Sequence, residues 1–86
     1  MPRVTLYTAE GCHLCRRARA TVEAVRVELG FEFDEVDITG DPELERRYRE
    51  LLPVLELDGR RLFSYHVPAE RLRRAVAQTP PSGTSL

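Results

Sequence analysis

The chain carries two cysteines, three residues apart, as Cys12-His13-Leu14-Cys15. A Cys-x-x-Cys pair suits two chemistries. One is a reversible disulfide, in which one thiolate attacks and the other resolves; the other is metal ligation. The pair follows a β-branched and aromatic run, Arg3 to Thr8, and opens a helical pattern. At a helix N-terminus a sulfur faces unpaired backbone N–H groups and the positive end of the dipole, and both favour thiolate over thiol. Cys15 lies on the same first turn, so its sulfur reaches Cys12 with little backbone movement. Cys12 is the candidate attacking thiolate and Cys15 the candidate resolving thiol, the more buried of the two. His13 sits between them. Protonated, it would stabilise the thiolate and make the disulfide more oxidising; as a solvent-exposed spacer it would do neither. Arg16 and Arg17 either add positive potential or form a solvated helix face.

A metal reading meets an arithmetic obstacle, because a tetrahedral zinc site takes four ligands. His13 points elsewhere on the helix and His66 stands at no ligand spacing. Zinc or an iron–sulfur cluster would therefore need a dimer sharing two Cys pairs. A purely structural disulfide is the blandest reading, but a bridge closing so small a loop constrains the unfolded chain little. The redox reading leads. A metal or iron–sulfur carrier, and a non-catalytic binding module with vestigial thiols, are the alternatives.

The elements that must position this pair follow from periodicity. Arg3 to Thr8 reads as a strand and Ala9-Glu10-Gly11 as a turn. From His13 to Leu29 the spacing of Leu14, Ala18, Val22, Val25 and Leu29 predicts one apolar helix face, stopped by Gly30. Phe31 to Ile38 is a second strand, whose apolar phase shifts between Phe33 and Val36; this predicts a bend or a late start. Asp41 before Pro42 reads as an N-cap, opening a short helix to about Tyr48. Pro53 to Leu57 and Arg60 to Tyr65 flank Asp58-Gly59, a hairpin signal. Pro68 opens a last helix in which Leu72, Ala75 and Val76 share a face. The order βαβαββα makes an α/β fold, a mixed four-stranded sheet with three helices. Its first two strands are parallel by the right-handed crossover rule and its last two antiparallel. Residues 1–77 form one domain, and 78–86, with Pro80-Pro81 and Ser82-Gly83, are expected to be a disordered tail.

Bulk properties narrow the class. At 86 residues, one domain with a thin core is expected, and a buried cavity for a large cofactor is not. A hydrophobic share of 42% against 31% charged fits a globular chain. A net charge of −1 gives no push toward nucleic acid or membrane. All 13 basic residues are arginine, which excludes lysine chemistry. No signal peptide or apolar run of membrane length is visible, so a cytoplasmic monomer is expected.

The run Leu6-Tyr7-Thr8-Ala9-Glu10-Gly11-Cys12-His13-Leu14-Cys15, then Val36-Asp37-Ile38, then Pro53-Val54-Leu55-Glu56-Leu57-Asp58-Gly59 resembles the thioredoxin superfamily. Length and the short first strand are similar to its smallest members, the glutaredoxin-like proteins, over residues 3–77. The resemblance implies a thioredoxin-like fold and a thiol–disulfide oxidoreductase. Its redox-active disulfide would need no bound cofactor, its substrate would be a protein or low-molecular-weight disulfide, and a thiol reductant such as glutathione would supply electrons. On the residues alone Pro53 reads as an ordinary trans proline starting a strand. The resemblance implies a cis Pro53 against Cys12, with the Leu52 backbone open to a bound peptide or thiol. Leu52, Pro53 and His13 are the candidate substrate contacts.

Three segments depart from glutathione-using relatives. Thr8-Ala9-Glu10-Gly11 lacks their lysine, Leu51-Leu52 replaces Thr-Val, and Leu62-Phe63-Ser64-Tyr65 leads to no Gly-Gly pair. The usual glutathione-binding residues are thus largely missing. Phe63 and Tyr65 read first as strand packing and second as groove lining. Arg46, Arg47 and Arg49 read as a solvated helix face rather than an acidic-partner site.

Overall fold

The computed structural model describes residues 2–79. Chain order is β1 (Arg3–Thr8), α1 (His13–Leu29), β2 (Glu32–Asp37), α2 (Pro42–Tyr48), a 3₁₀ turn (Arg49–Leu51), β3 (Val54–Leu57), β4 (Arg60–Ser64) and α3 (Ala69–Gln78). The sheet runs β2-β1-β3-β4. β1 and β2 are parallel, while β3 pairs antiparallel with both β1 and β4. This is the mixed four-stranded sheet with three helices that the sequence predicts.

Local chemistry explains the boundaries. Gly30 ends α1 at φ 68, a left-handed conformation that costs glycine little. The Asp41 carboxylate accepts the backbone N–H groups of Glu43 and Leu44, and Pro42 supplies the first helical residue. Asp58 and Gly59 both take positive φ, 51 and 85, as a two-residue hairpin turn of the primed type requires.

Two cores lie on the two faces of the sheet. On one, Val4, Leu6, Leu55 and Leu57 pack against Ala18, Val22 and Val25 of α1 and Leu72 and Val76 of α3. On the other, Ile38, Tyr48 and Val54 gather beside Tyr7, Leu44 and Leu51. Arg73 clips α3 to the far end of α1 through Glu28 at 2.7 Å.

Three expectations are corrected. Leu14 and Leu29 are not on the buried face of α1; the face is Cys15, Ala18, Val22 and Val25. β2 has no bend, for its register with β1 is unbroken from Arg3–Glu32 to Thr8–Asp37. Its phase shift arises because both faces are partly covered: Phe33 lies on the α1/α3 side, paired with Val4, and Val36 on the other, paired with Tyr7. Gln78, placed in the tail, is the last residue of α3. The rest of that expected tail, from Pro80 on, lies outside the described residues.

Tyr48 gives the second core a pH limit. Burial first, then hydrogen bonds involving Tyr7 and Glu56, push its phenol up to about 12. Folding therefore favours the protonated phenol. That stability is complete below the ordinary tyrosine value of about 10 and is lost as pH rises from there to about 12, a loss of roughly 2–3 kcal/mol. Denaturant titrations between pH 8 and 12 should show the decline in the parent, and Tyr48→Phe should flatten it.

Candidate active site

β1 ends at Thr8, and the chain turns through Ala9-Glu10-Gly11 into Cys12, with the Cys12 N–H donating to the Ala9 carbonyl at 3.4 Å. Gly11 takes φ 75 in this turn. Cys12 is the N-cap of α1 (φ −90, ψ 106), and its Sγ accepts the Cys15 N–H at 3.1 Å. Cys12 thus holds the position that serine or aspartate usually fills, and its sulfur meets an orphan amide of the first turn. The two cysteines are joined as a disulfide, with Cα atoms 5.2 Å apart. They differ in access: Cys12 is half-buried, whereas Cys15 is 3% exposed beneath α1.

The charges around this turn are unusual for a helix start. The first turn of α1 contains no acidic residue, while α2 places Glu43 and Glu45 in its first turn and α3 places Glu70. An acid in that position is worth about 0.3–1 kcal/mol. α1 forgoes it and carries His13, Arg16 and Arg17 instead. The Cys12 sulfur therefore sits at a helix start with basic neighbours and no acidic one.

The Leu52–Pro53 peptide bond is cis. Pro53 is buried and stands one residue beyond the Tyr7–Val54 pair, at the end of the sheet from which β1 runs into the Cys12 turn. Leu52 is extended (φ −61, ψ 145) and half-buried. The Tyr65 N–H donates to the carbonyls on both sides of it, Leu51 at 3.2 Å and Pro53 at 2.9 Å. His13 is exposed on the first turn.

Two openings border α1, and one of them is lined by both cysteines. One, of about 290 Å³, is lined by Thr8, Gly11, Cys12, Cys15, Arg16 and Glu35 among others. There the Glu35 carboxylate accepts the Thr8 hydroxyl at 3.3 Å and pairs with Arg19 at 3.3 Å. The other, of about 400 Å³, runs between α1 and the segment after β4, lined by Leu14, Arg17, Thr21, Tyr65 and His66. Among the described residues no three His, Cys, Asp or Glu side chains gather as a metal site.

A family model described as Glutaredoxin-like domain (DUF836) matches residues 3–77. The chain belongs to the glutaredoxin-like family. An uncharacterised protein of Mycobacterium tuberculosis is 35% identical to this glutaredoxin-like chain over 83 residues, covering 91% of this chain and 86% of that one. The crystal structure of a structural-genomics target, XcR50 from X. campestris, is similar with a TM-score of 0.74 at 35% identity, over 90% of this chain and 99% of that one. Thioredoxin-2 of a malaria parasite shares the fold with a TM-score of 0.72 at 19% identity, over 92% and 84%. The fold of this glutaredoxin-like protein is therefore thioredoxin-like. Family and Cys12–Cys15 disulfide together support a thiol–disulfide redox role.

Of the second opening's residues, the sequence misplaced Leu14 and ranked groove lining second for Tyr65. Leu14, assigned to the core, is 49% exposed, and Tyr65, read first as strand packing, is 53% exposed. Phe63 does pack on the core. Tyr65 lies past the end of β4 at φ 70, and the His66 N–H donates to the Ser64 carbonyl at 2.8 Å across it, closing a γ-turn. A non-glycine residue held there costs on the order of 1–3 kcal/mol. The one hint in the sequence is the broken alternation of Tyr65-His66-Val67 just before Pro68. Arg46 and Arg49 pair with Glu43 and Glu45, and Arg47 lies 5.1 Å from the Tyr48 ring centroid.

Proposed function

We propose that the protein is a thiol–disulfide oxidoreductase that works by a dithiol cycle. The observation that carries this reading is the unequal access of the two sulfurs at a helix N-terminus without acidic residues. In the reduced protein the Cys12 thiolate attacks one sulfur of a substrate disulfide. The S–S bond breaks, the leaving thiolate takes the electron pair, and a Cys12–substrate mixed disulfide forms. The Cys15 thiol loses its proton and attacks Cys12 Sγ, which releases the second substrate thiol. Two electrons have passed to the substrate, and the protein holds the Cys12–Cys15 disulfide. A thiol reductant, low-molecular-weight or protein, returns those electrons.

No bound cofactor enters the cycle. The extended Leu52 before Pro53 suits strand-like pairing with a substrate backbone, and His13, exposed on the first turn of α1, is the further candidate contact. Glutathione is the less favoured reductant, because Thr8-Ala9-Glu10-Gly11, Leu51-Leu52 and Ser64-Tyr65 replace the residues that usually hold it. The working form is a monomer in the cytoplasm without nucleic-acid or membrane partners; among the described residues no helix is long and apolar enough to cross a membrane.

Cys15→Ser tests the cycle. The variant retains the attacking thiolate and lacks the resolving one, so mixed disulfides should accumulate to near stoichiometry with a model disulfide and be visible by intact mass. A variant that turns over without any trapped species would contradict the division of labour between the cysteines.

A further inference from the structure

Two tyrosines of the second core stand at the roots of the two segments that form the site. Tyr7 lies five residues before Cys12 and leads through Thr8 into the Ala9-Glu10-Gly11 turn. Tyr48 is the last residue of α2, four residues before Leu52, and leads through the 3₁₀ turn Arg49–Leu51 to the cis bond at Pro53. The two rings stack, with centroids 4.2 Å apart and planes at 16°. A stacked aromatic pair fixes an orientation as well as burying area. Tyr48 is buried, and its hydroxyl donates to the Glu56 carboxylate at 3.1 Å, which fastens the end of α2 to β3. The β1–β3 ladder ends at the Tyr7–Val54 pair, so the Cys12 turn and Leu52 both lie beyond its last rung. There Ala9 and Leu52 pack against one cluster, Ile38, Tyr48 and Val54, to which Tyr7 also belongs.

We infer that the Tyr7–Tyr48 stack positions polypeptide substrates, by holding the Leu52 backbone in register with Cys12. This rests on the redox reading above. A disulfide whose backbone pairs at Leu52 then presents its sulfur to the Cys12 thiolate. Tyr7 and Tyr48 are positioning residues; they act through Leu52 and the turn before Cys12. The effect is selective. Attack on a disulfide without a peptide backbone needs Cys12 at its helix cap, whereas attack on a backbone-paired one also needs Leu52 in place. A misplacement of about 1 Å can cost about a hundredfold in rate.

The test compares the second-order rates at which the reduced protein attacks two probes, read by the initial release of pyridine-2-thione. One probe is dipyridyl disulfide. The other is a capped Ala-Ala-Cys-Ala-Ala peptide whose cysteine carries a thiopyridyl group. In each, Cys12 forms the new bond to one sulfur, and the thione leaves with the electron pair. Tyr48→Leu should slow the peptide roughly tenfold more than dipyridyl disulfide. Tyr48→Phe keeps the ring and loses only the Glu56 bond, so its ratio of the two rates should stay within about twofold of the parent's. Tyr7→Leu opens the same stack from a half-buried position and should reproduce the Tyr48→Leu ratio, so the test stands even where Tyr48→Leu fails to fold. A general loosening of the fold changes both rates together. An unchanged ratio in the leucine variants would therefore overturn the positioning role and leave the redox reading standing. A Tyr48→Phe ratio as low as that of Tyr48→Leu would overturn the stack as the agent. No reaction of the parent with dipyridyl disulfide would overturn the redox reading and this inference with it.

Discussion

Cys12→Ser is expected to lower disulfide exchange by at least roughly a thousandfold, because a hydroxyl replaces the thiolate and no other cysteine has comparable access. The fold should survive the change. Cys12 is the N-cap of α1 and its sulfur accepts the Cys15 N–H, a task for which serine is a preferred residue. The thermal midpoint of the reduced variant should therefore match that of the reduced parent. Stopped-flow exchange with a neutral model disulfide, run beside thermal unfolding, separates lost chemistry from lost structure. Parent-like exchange by the variant would remove Cys12 from the mechanism.

The second large effect is on stability. Leu6→Ala should cost about 2–5 kcal/mol. Leu6 is fully buried in the strand between β2 and β3, opposite Leu55, and packs under α1 and α3. Total stability for domains of this kind is roughly 5–15 kcal/mol, and a short chain has little core to spare. The variant should lose much of its denaturant midpoint with its slope preserved. Because β1 delivers the chain to Cys12, partial unfolding of the reduced variant should also raise the alkylation rate of Cys15, which is 3% exposed in the intact fold. An effect below about 1 kcal/mol would mean that this core is not packed as described.

Much of this architecture is legible in the residues because strong local signals agree with it. Asp41-Pro42 opens a helix by capping chemistry, Asp58-Gly59 turns a hairpin by its tolerance of positive φ, and Cys12 stands where strand periodicity gives way to helix periodicity. Where the pattern misled, a single period could not say which surface was covered. Phe33 packs on one core while Val36 pairs with Tyr7 on the opposite face of the strand, so their spacing looked like a bend. Leu14 keeps the helical spacing of the core, yet it sits at the open end of α1 and faces the segment after β4. Tyr65 continued an aromatic alternation, but its backbone leaves the strand to bracket Leu52. The opening these two residues line joins segments some fifty residues apart, and no local pattern encodes such a juxtaposition.

The most direct test is a redox titration of the purified protein. It is equilibrated in buffers of defined thiol–disulfide poise, its free thiols are alkylated, and they are counted by mass. The account predicts one two-electron transition in which Cys12 and Cys15 pass together from two alkylated thiols to none, between about −180 and −300 mV, around the span of known oxidoreductases. An intramolecular disulfide absent at every poise, or thiols protected until a chelator is added, would contradict it.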